Sequence, residues 1–227
     1  MTTRMSRRER KALKTRKLIL DSARELFEDH PYEEVNMNEI SERADLSKAT
    51  LYNYFPSKEA IYLEVGIQFL REIGERQEKT ITTKRLGLDQ IGKLSEDILR
   101  ISFEHPLIHQ IMRHFLVINS QAEISAEEAL KKLESGQQVD DPSFAEYLRE
   151  VRTFESIWRE AIERGFKDGS IHHELNPDQL THFLFMIISG IFDRINLERM
   201  LLKRVGLSEE ELLRMTVDLI RKDLAND

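Results

Sequence analysis

Two helix-start signals only eleven residues apart, at Asn36 and Ser47, constrain this chain more than any other feature. Asn36 is followed three positions on by Glu39, the pattern in which a cap side chain takes a backbone N–H and the glutamate returns to the cap's own N–H. Ser47 opens the next helix, so the first must be short, ending near Ala44, with Asp45 and Leu46 as a tight connection. Pro56 ends the second helix near Tyr54, and Ser57 caps a longer one. Upstream, Ile19, Ala23, Leu26 and Phe27 share one face of a helix that begins at Ser6 or Lys11 and runs to Asp29, where Pro31 stops it. Ile40, Ala44, Leu46 and Leu51 are spaced to pack on that face. Two short helices across a tight turn, braced by a third, make a helix-turn-helix, whose second helix is built to enter a major groove.

That packing leaves Ser47, Lys48, Ala49, Thr50, Tyr52 and Asn53 outward, and the exposed types suit DNA. Lys48 can meet a phosphate or a guanine, Ser47, Thr50 and Asn53 offer short polar contacts, and Ala49 permits close approach or touches a thymine methyl. The Tyr52 and Tyr54 hydroxyls can reach phosphates. Lys58 stands in the first turn of the next helix, where backbone N–H groups favour anions.

Net charge is −7, which by itself argues against a polyanionic partner. Its distribution does not. Residues 1–20 carry eight basic side chains against one acid, and residues 1–60 twelve against eleven, leaving −8 on the remaining 167. A basic arm on an acidic body can dock one end on phosphates.

Beyond residue 57 the apolar residues keep a helical period and no segment alternates as a strand does, so the chain reads as all-α. Residues 1–60 form a helix-turn-helix domain with a basic arm, and residues 61–227 a larger helical domain for effector binding and dimerisation. Ile61, Val65, Phe69 and Ile73 recur along the helix from Ser57, and Thr80–Gly87 is an expected link between domains. Pro142 opens a long helix closed by Gly169, Asn176-Pro177 another that ends before Gly206, and Ser208 with Glu211 a last one. Phe183–Phe192 is apolar around its whole circumference, which demands partners on opposite sides. One side closes the subunit and the other meets a second copy, placing Leu184, Ile188, Ile191 and Ile195 in a dimer interface with Leu212 and Leu219 of the last helix.

An effector site is expected among Leu99, Ser102, Phe103, Met112, Phe115, Val151, Glu155, Trp158 and Met186, large apolar groups around a few polar ones. Glu155 interrupts the stripe Phe144, Leu148, Val151, Trp158 and Ile162, and must be paired, protonated or solvated there. The same residues would also suit a solid core.

Residues 46–60, Leu-Ser-Lys-Ala-Thr-Leu-Tyr-Asn-Tyr-Phe-Pro-Ser-Lys-Glu-Ala, resemble the signature of the TetR/AcrR family of regulators. Ile19, Ala23, Leu26, Phe27, Tyr32 and Ile40 also fall where that family's pattern has them, so the resemblance covers about residues 15–65. It implies a three-helix DNA-binding domain joined to an all-helical ligand and dimer domain, with a homodimer binding a roughly palindromic double-stranded operator and a small molecule releasing it. It further implies base and phosphate contacts from Lys48, Ala49, Thr50 and Tyr52, with Asn53 and Tyr54 beside them, and phosphate contacts from Asn36 and Lys58. The sequence departs from the pattern at Pro31 and Asp45, where glycine is usual, and at Ala49, often glycine. Pro31 cannot take the left-handed geometry a glycine permits.

No cysteine is present, which excludes disulfides, thiolate catalysis and cysteine-bound zinc. No catalytic residue, cofactor or metal is expected. His105 and His109 are four apart and His172 and His173 adjacent, but no carboxylate completes a recognisable set, and no phosphate loop or nucleophile motif is visible. The longest uncharged apolar run is about half of what a membrane span needs. The basic start leads into no signal-type apolar stretch, so a cytoplasmic protein is expected. The expected function is a transcription regulator, a repressor released by a small apolar effector. A DNA-binding or architectural factor without a small-molecule switch is the alternative.

Overall fold

The computed structural model describes residues 5–81, 86–105, 107, 110–111, 128, 131–132, 135–137 and 142–225, without the side chains of 142, 192–193 and 195–201. The described elements are helical: α1 (Arg7–Asp29), α2 (Met37–Arg43), α3 (Lys48–Tyr54), α4 (Lys58–Ile81), α5 (Gly87–Glu104), α6 (Pro142–Asp168), α7 (Pro177–Arg204) and α8 (Glu209–Ala225).

The caps lie where the residue types put them. Ser6 and Glu9 form a reciprocal box at the start of α1, and Asn36 and Glu39 do so at α2. Asn176 accepts from the Gln179 N–H at 3.0 Å while Gln179 accepts from the Asn176 N–H at 3.1 Å, starting α7. Ser208 and Glu211 repeat the arrangement at α8. α5 has no cap of its own. Its Gly87 N–H donates to Asp168 at 2.8 Å and its Leu88 N–H to Ser170 at 3.1 Å, so the end of α6 caps the start of α5. Partial burial pushes the Asp168 carboxyl up, but the bonds it receives from Ser170 and Gly87 outweigh this and hold it below its ordinary range. The crossing is close because of glycine. A Cβ on Gly87 would lie 2.1 Å from the Gly165 nitrogen.

α4 is the spine. At its start Tyr62 packs against Phe27 (centroids 4.8 Å) and Tyr32 (4.6 Å), binding it to α1. One turn past Val65, Phe69 takes the Arg24 guanidinium over its ring at 4.0 Å. At its end Gln77 accepts the Trp158 indole N–H at 3.0 Å within the α4–α6 core. The α1 contacts therefore continue past residue 60, as far as the Arg24–Glu72 pair at 3.6 Å.

Candidate nucleic-acid interface

Ile19, Ala23, Phe27, Ile40, Ala44 and Leu51 are all buried, so α1 and α2 brace α3 from beneath. Asp45 bridges α2 and α3 with φ 51°, in the left-handed region where a glycine is usual. Aspartate tolerates that conformation better than most residues. The Leu46 N–H closes the turn on the Ser41 carbonyl at 2.9 Å. The turn therefore needs no glycine, and α3 is set rigidly on its support.

α3 presents its other face to solvent. Lys48, Ala49 and Asn53 are exposed and Tyr52 is 52% accessible. Lys48 makes no ion pair among the described residues, so its charge is available. Ser47 is occupied: its hydroxyl accepts the Thr50 N–H at 3.1 Å and lies 2.8 Å from the Thr50 hydroxyl. Thr50 is half-buried, its side chain oriented by that contact. Asn36 is exposed, with its carbonyl oxygen spent on the N–H groups of Asn38 and Glu39, which leaves its amide as the outward donor. Tyr54 is half-buried against the core.

Lys58 stands apart from the expectation of a free phosphate contact. Its ammonium donates to the Tyr32 carbonyl at 2.6 Å and the Val35 carbonyl at 2.7 Å, and sits 4.1 Å from the centre of the Tyr32 ring. It clamps the segment joining α1 to α2, the stretch where Pro31 replaces glycine. Tyr32 completes the clamp by bonding Glu59, and burial together with that carboxylate pushes the Tyr32 hydroxyl well above its ordinary range.

Sequence reasoning missed Arg16. Its guanidinium covers the Phe55 ring at 4.3 Å, pairs with Glu64 at 3.1 Å and reaches the Tyr54 carbonyl at 3.5 Å, tying α1 to the end of α3. Its signal was its place on the inward side of α1, one turn before Ile19 and Leu20.

The effector set divides. Leu99, Ser102 and Trp158 are buried, with the Ser102 hydroxyl donating to the Ile98 carbonyl at 2.9 Å. Phe103, Val151 and Glu155 are half-buried, and Phe154, Trp158 and Phe185 form an aromatic group with centroids 5.2–6.5 Å apart. Burial pushes the Glu155 carboxyl up, opposed by His182 and Arg152. Met186 corrects the expectation: it is 67% accessible and faces out of the subunit. Met112 and Phe115, like His109, lie outside the described residues. Gln77, the polar partner of Trp158, was missed although it continues the four-residue recurrence of Ile61, Val65, Phe69 and Ile73. A groove of about 290 Å³ lies elsewhere, between α5 and α8, bordered by Glu96, Glu210, Arg214 and Asp218.

The interface set is also corrected. Leu184 and Ile188 are 1% and 4% accessible, buried in their own subunit. Ile191 and Leu212 are half-buried, and the Ile195 side chain is not described. Leu219 is 64% accessible, and Met215 on α8 and Met186 on α7 are likewise exposed. A helix apolar all round does not reveal from its period which side turns inward.

Residues 19–65 match the family model described as bacterial regulatory proteins, tetR family. The HTH-type transcriptional regulator YhgD of Bacillus subtilis is 24% identical over 180 residues, covering 78% of this chain and 83% of the relative. The HTH-type transcriptional repressor KstR of Rhodococcus jostii is 27% identical over 147 residues, covering 63% and 68%. Among solved structures, FadR from Bacillus subtilis in complex with stearoyl-CoA superposes with TM-score 0.65 at 15% identity, covering 92% of this chain and 98% of that one. A putative transcriptional regulator from Saccharomonospora viridis in complex with choline gives 0.67 at 19%, covering 93% and 97%. At such identities the structures establish a shared fold.

Proposed function

Because this chain belongs to the tetR family of bacterial regulatory proteins, we propose that it is a DNA-binding transcription regulator, a homodimeric repressor that reads a roughly palindromic operator. The observation that carries this is α3: Leu51 is fully buried against α1 and α2 while Lys48, Ala49, Tyr52 and Asn53 stand free on the opposite face. A rigid short helix with small and polar residues outward is what a major groove accepts. Asn36 adds a donor beside it, and Ser47 acts by orienting Thr50. Tyr54 contributes as a half-buried edge, and Lys58 as a clamp on the α1–α2 segment. Residues 1–60 serve as the reading head and residues 61–227 as the body that pairs and responds, with α4 passing between them. Pairing uses the outer faces of α7 and α8, through Met186, Met215 and Leu219.

The experiment is selection of bound fragments from a random DNA pool by the purified protein. An enriched two-fold symmetric site is expected. On it, Thr50→Ala and Lys48→Ala should shift base preference at about 1–3 kcal/mol per lost contact. Equal losses on selected and random DNA would remove both residues from the base-reading set.

An apolar small molecule binding among α5, α6 and α7 is proposed as the releasing effector. KstR is named a repressor and the FadR structure contains stearoyl-CoA, which supports a ligand-responsive body. A regulator with no such switch is the second reading, favoured by the complete burial of Leu99 and Trp158. A thermal-shift screen with lipophilic compounds separates the two. A compound that raises the melting temperature and lowers operator affinity supports the first, and a screen without response supports the second.

A further inference from the structure

Two buried polar groups of the body are left unsatisfied. Gln77, near the end of α4, and Ser95, in the middle of α5, are both 0% accessible. The Gln77 amide nitrogen and the Ser95 hydroxyl have no hydrogen-bond partner. Leaving one such group unpaired costs about 1–3 kcal/mol, so two in one core call for a physical reason.

Trp158 fixes the orientation of Gln77. An indole is a donor only, so its N–H takes the Gln77 carbonyl oxygen, at 3.0 Å. Both amide hydrogens are thereby turned away from the indole, and the group that completes them is an acceptor. Ser95 differs from the other buried hydroxyls of the body helices. Ser102, two turns further along α5, donates to the Ile98 carbonyl four residues back at 2.9 Å, and Thr181 and Thr216 do the same on α7 and α8. Ser95 makes no such bond, so its hydroxyl is left to a group outside its own helix. α5 carries it past the same turn of α4. Gln90 donates to the Ile81 carbonyl at 3.2 Å and Asp97 accepts from the Thr80 hydroxyl at 3.3 Å, and Ser95 lies between these two in sequence.

The surroundings constrain what the acceptor belongs to. Phe154 and Phe185 are stacked at 5.4 Å, with Phe185 5.2 Å from the Trp158 ring, so the neighbourhood is aromatic. No Lys, Arg or His is buried among the described residues, and Glu155, three residues before Trp158, is a half-buried carboxylic group. A carboxylate or phosphate would enter this core without a compensating charge. We infer that Gln77, together with Ser95, is the recognition point of the effector site and takes the carbonyl oxygen of an uncharged, otherwise apolar ketone or ester. This rests on the effector reading above and gives that effector a chemical class. Both groups are enclosed, so a ligand reaches them only by parting helices from α4, the spine that leads to the head.

Trp158 is the single tryptophan of the chain, so its emission reports on Gln77 directly. Three series of probes are titrated into the full-length protein: linear and cyclic ketones, their isosteres with C=CH2 in place of C=O, and carboxylic acids of the same skeletons. A ketone should change the Trp158 emission saturably, with a Kd roughly 10–100-fold below that of its isostere. The matching acid should bind no better than the isostere at neutral pH. In Gln77→Met the preference for the ketone should fall to within about threefold. That variant also leaves the indole N–H unpaired and should melt lower, so Ser95→Ala provides a variant that folds. It removes an unpaired hydroxyl, should hold or raise the melting temperature, and should still weaken ketone binding about 3–10-fold. Unchanged ketone affinity in Ser95→Ala removes Ser95 from the site. Equal binding of ketone and isostere by the wild type, or a preference that survives Gln77→Met, overturns the assignment of Gln77, including the case in which an internal water satisfies its amide. If those same ligands lower operator affinity, the effector reading stands without it. A protein whose emission and operator affinity no probe changes overturns the ketone or ester class, and the lipophilic screen then decides the effector reading by itself.

Discussion

Lys58 decides whether a cation at the start of α4 contacts DNA or holds the head together. Replacing it with Met keeps the aliphatic stem and removes the charge. Two charge-assisted bonds, to the Tyr32 carbonyl at 2.6 Å and the Val35 carbonyl at 2.7 Å, are lost together with the contact to the Tyr32 ring. Such bonds contribute about 1.5–3 kcal/mol each, and an exposed cation–ring contact about 0.5–1. The site is half-buried, so water recovers part of the loss at both carbonyls. The low end therefore applies, and a destabilisation of about 2–4 kcal/mol is expected. That is a large share of the 5–15 kcal/mol typical of a domain. Urea unfolding followed by circular dichroism should show a lower midpoint at unchanged slope. Corrected for the folded fraction, the salt slope of DNA binding should stay near the wild-type value. Stability within about 0.5 kcal/mol of wild type, with a salt slope lowered by about 0.9, would refute the clamp and restore Lys58 as a phosphate contact.

Three further outcomes are expected. Met186→Asp with Leu219→Asp should yield a folded monomer in sedimentation, whereas Ile188→Asp should unfold the chain by burying an unpaired charge; a folded Ile188→Asp monomer would return Ile188 to the interface. The Glu155 carboxyl is raised by burial, so the folded state holds its proton to higher pH than the unfolded chain does. The stability it contributes is then lost as pH rises from the ordinary glutamate value, about 4.3, through the raised folded one, and Glu155→Gln should abolish that loss in melting temperature measured against pH. Gly74→Ala, with no atom within 4 Å of the new Cβ, should stabilise α4 by about 0.5–1 kcal/mol. Gly87→Ala, driven into the Gly165 backbone, should destabilise the α5–α6 crossing, and chemical denaturation that ranked the two glycine variants the other way would contradict that packing.

Much of the reading head was legible because its signals are local. Asn36, Glu39, Ser47 and Ser57 each act within three residues, so the sequence carries the cap and its partner together. Asp45 was legible for the same reason, since a left-handed residue needs only its own tolerance. Lys58 was not, because its partners are backbone carbonyls 26 and 23 residues away and carry no side-chain signature. The body shows the same division. Asn176 and Ser208 marked the starts of α7 and α8, but the apolar circumference of α7 held no phase information, so Leu184 and Ile188 were placed on the wrong side.

The way the helices are tied bears on how a body could inform a head. Arg24 of α1 reaches Glu72 of α4, and Arg71 of α4 bonds both Glu146 and Glu150 of α6. Neighbouring residues on α4 thus face opposite partners, one toward the head and one toward the body. These pairs are exposed or half-exposed and worth about 0.2–1 kcal/mol each, too little to hold the helices together. Cohesion comes from the close-packed buried set Tyr62, Phe69, Ile73 and Trp158. The ion pairs add to the register of α4 against α1 and, with the buried Trp158–Gln77 hydrogen bond, to that of α6 against α4. A ligand that moved α6 along α4 would have to break the Arg71 fork or carry α4 with it. Because Lys58 and Tyr62 fix the other end of α4 to the head, the second course turns α3 relative to the body. Two such heads in a dimer must match the fixed spacing of successive grooves, so a rotation too small to disturb either head's own packing still misaligns the pair.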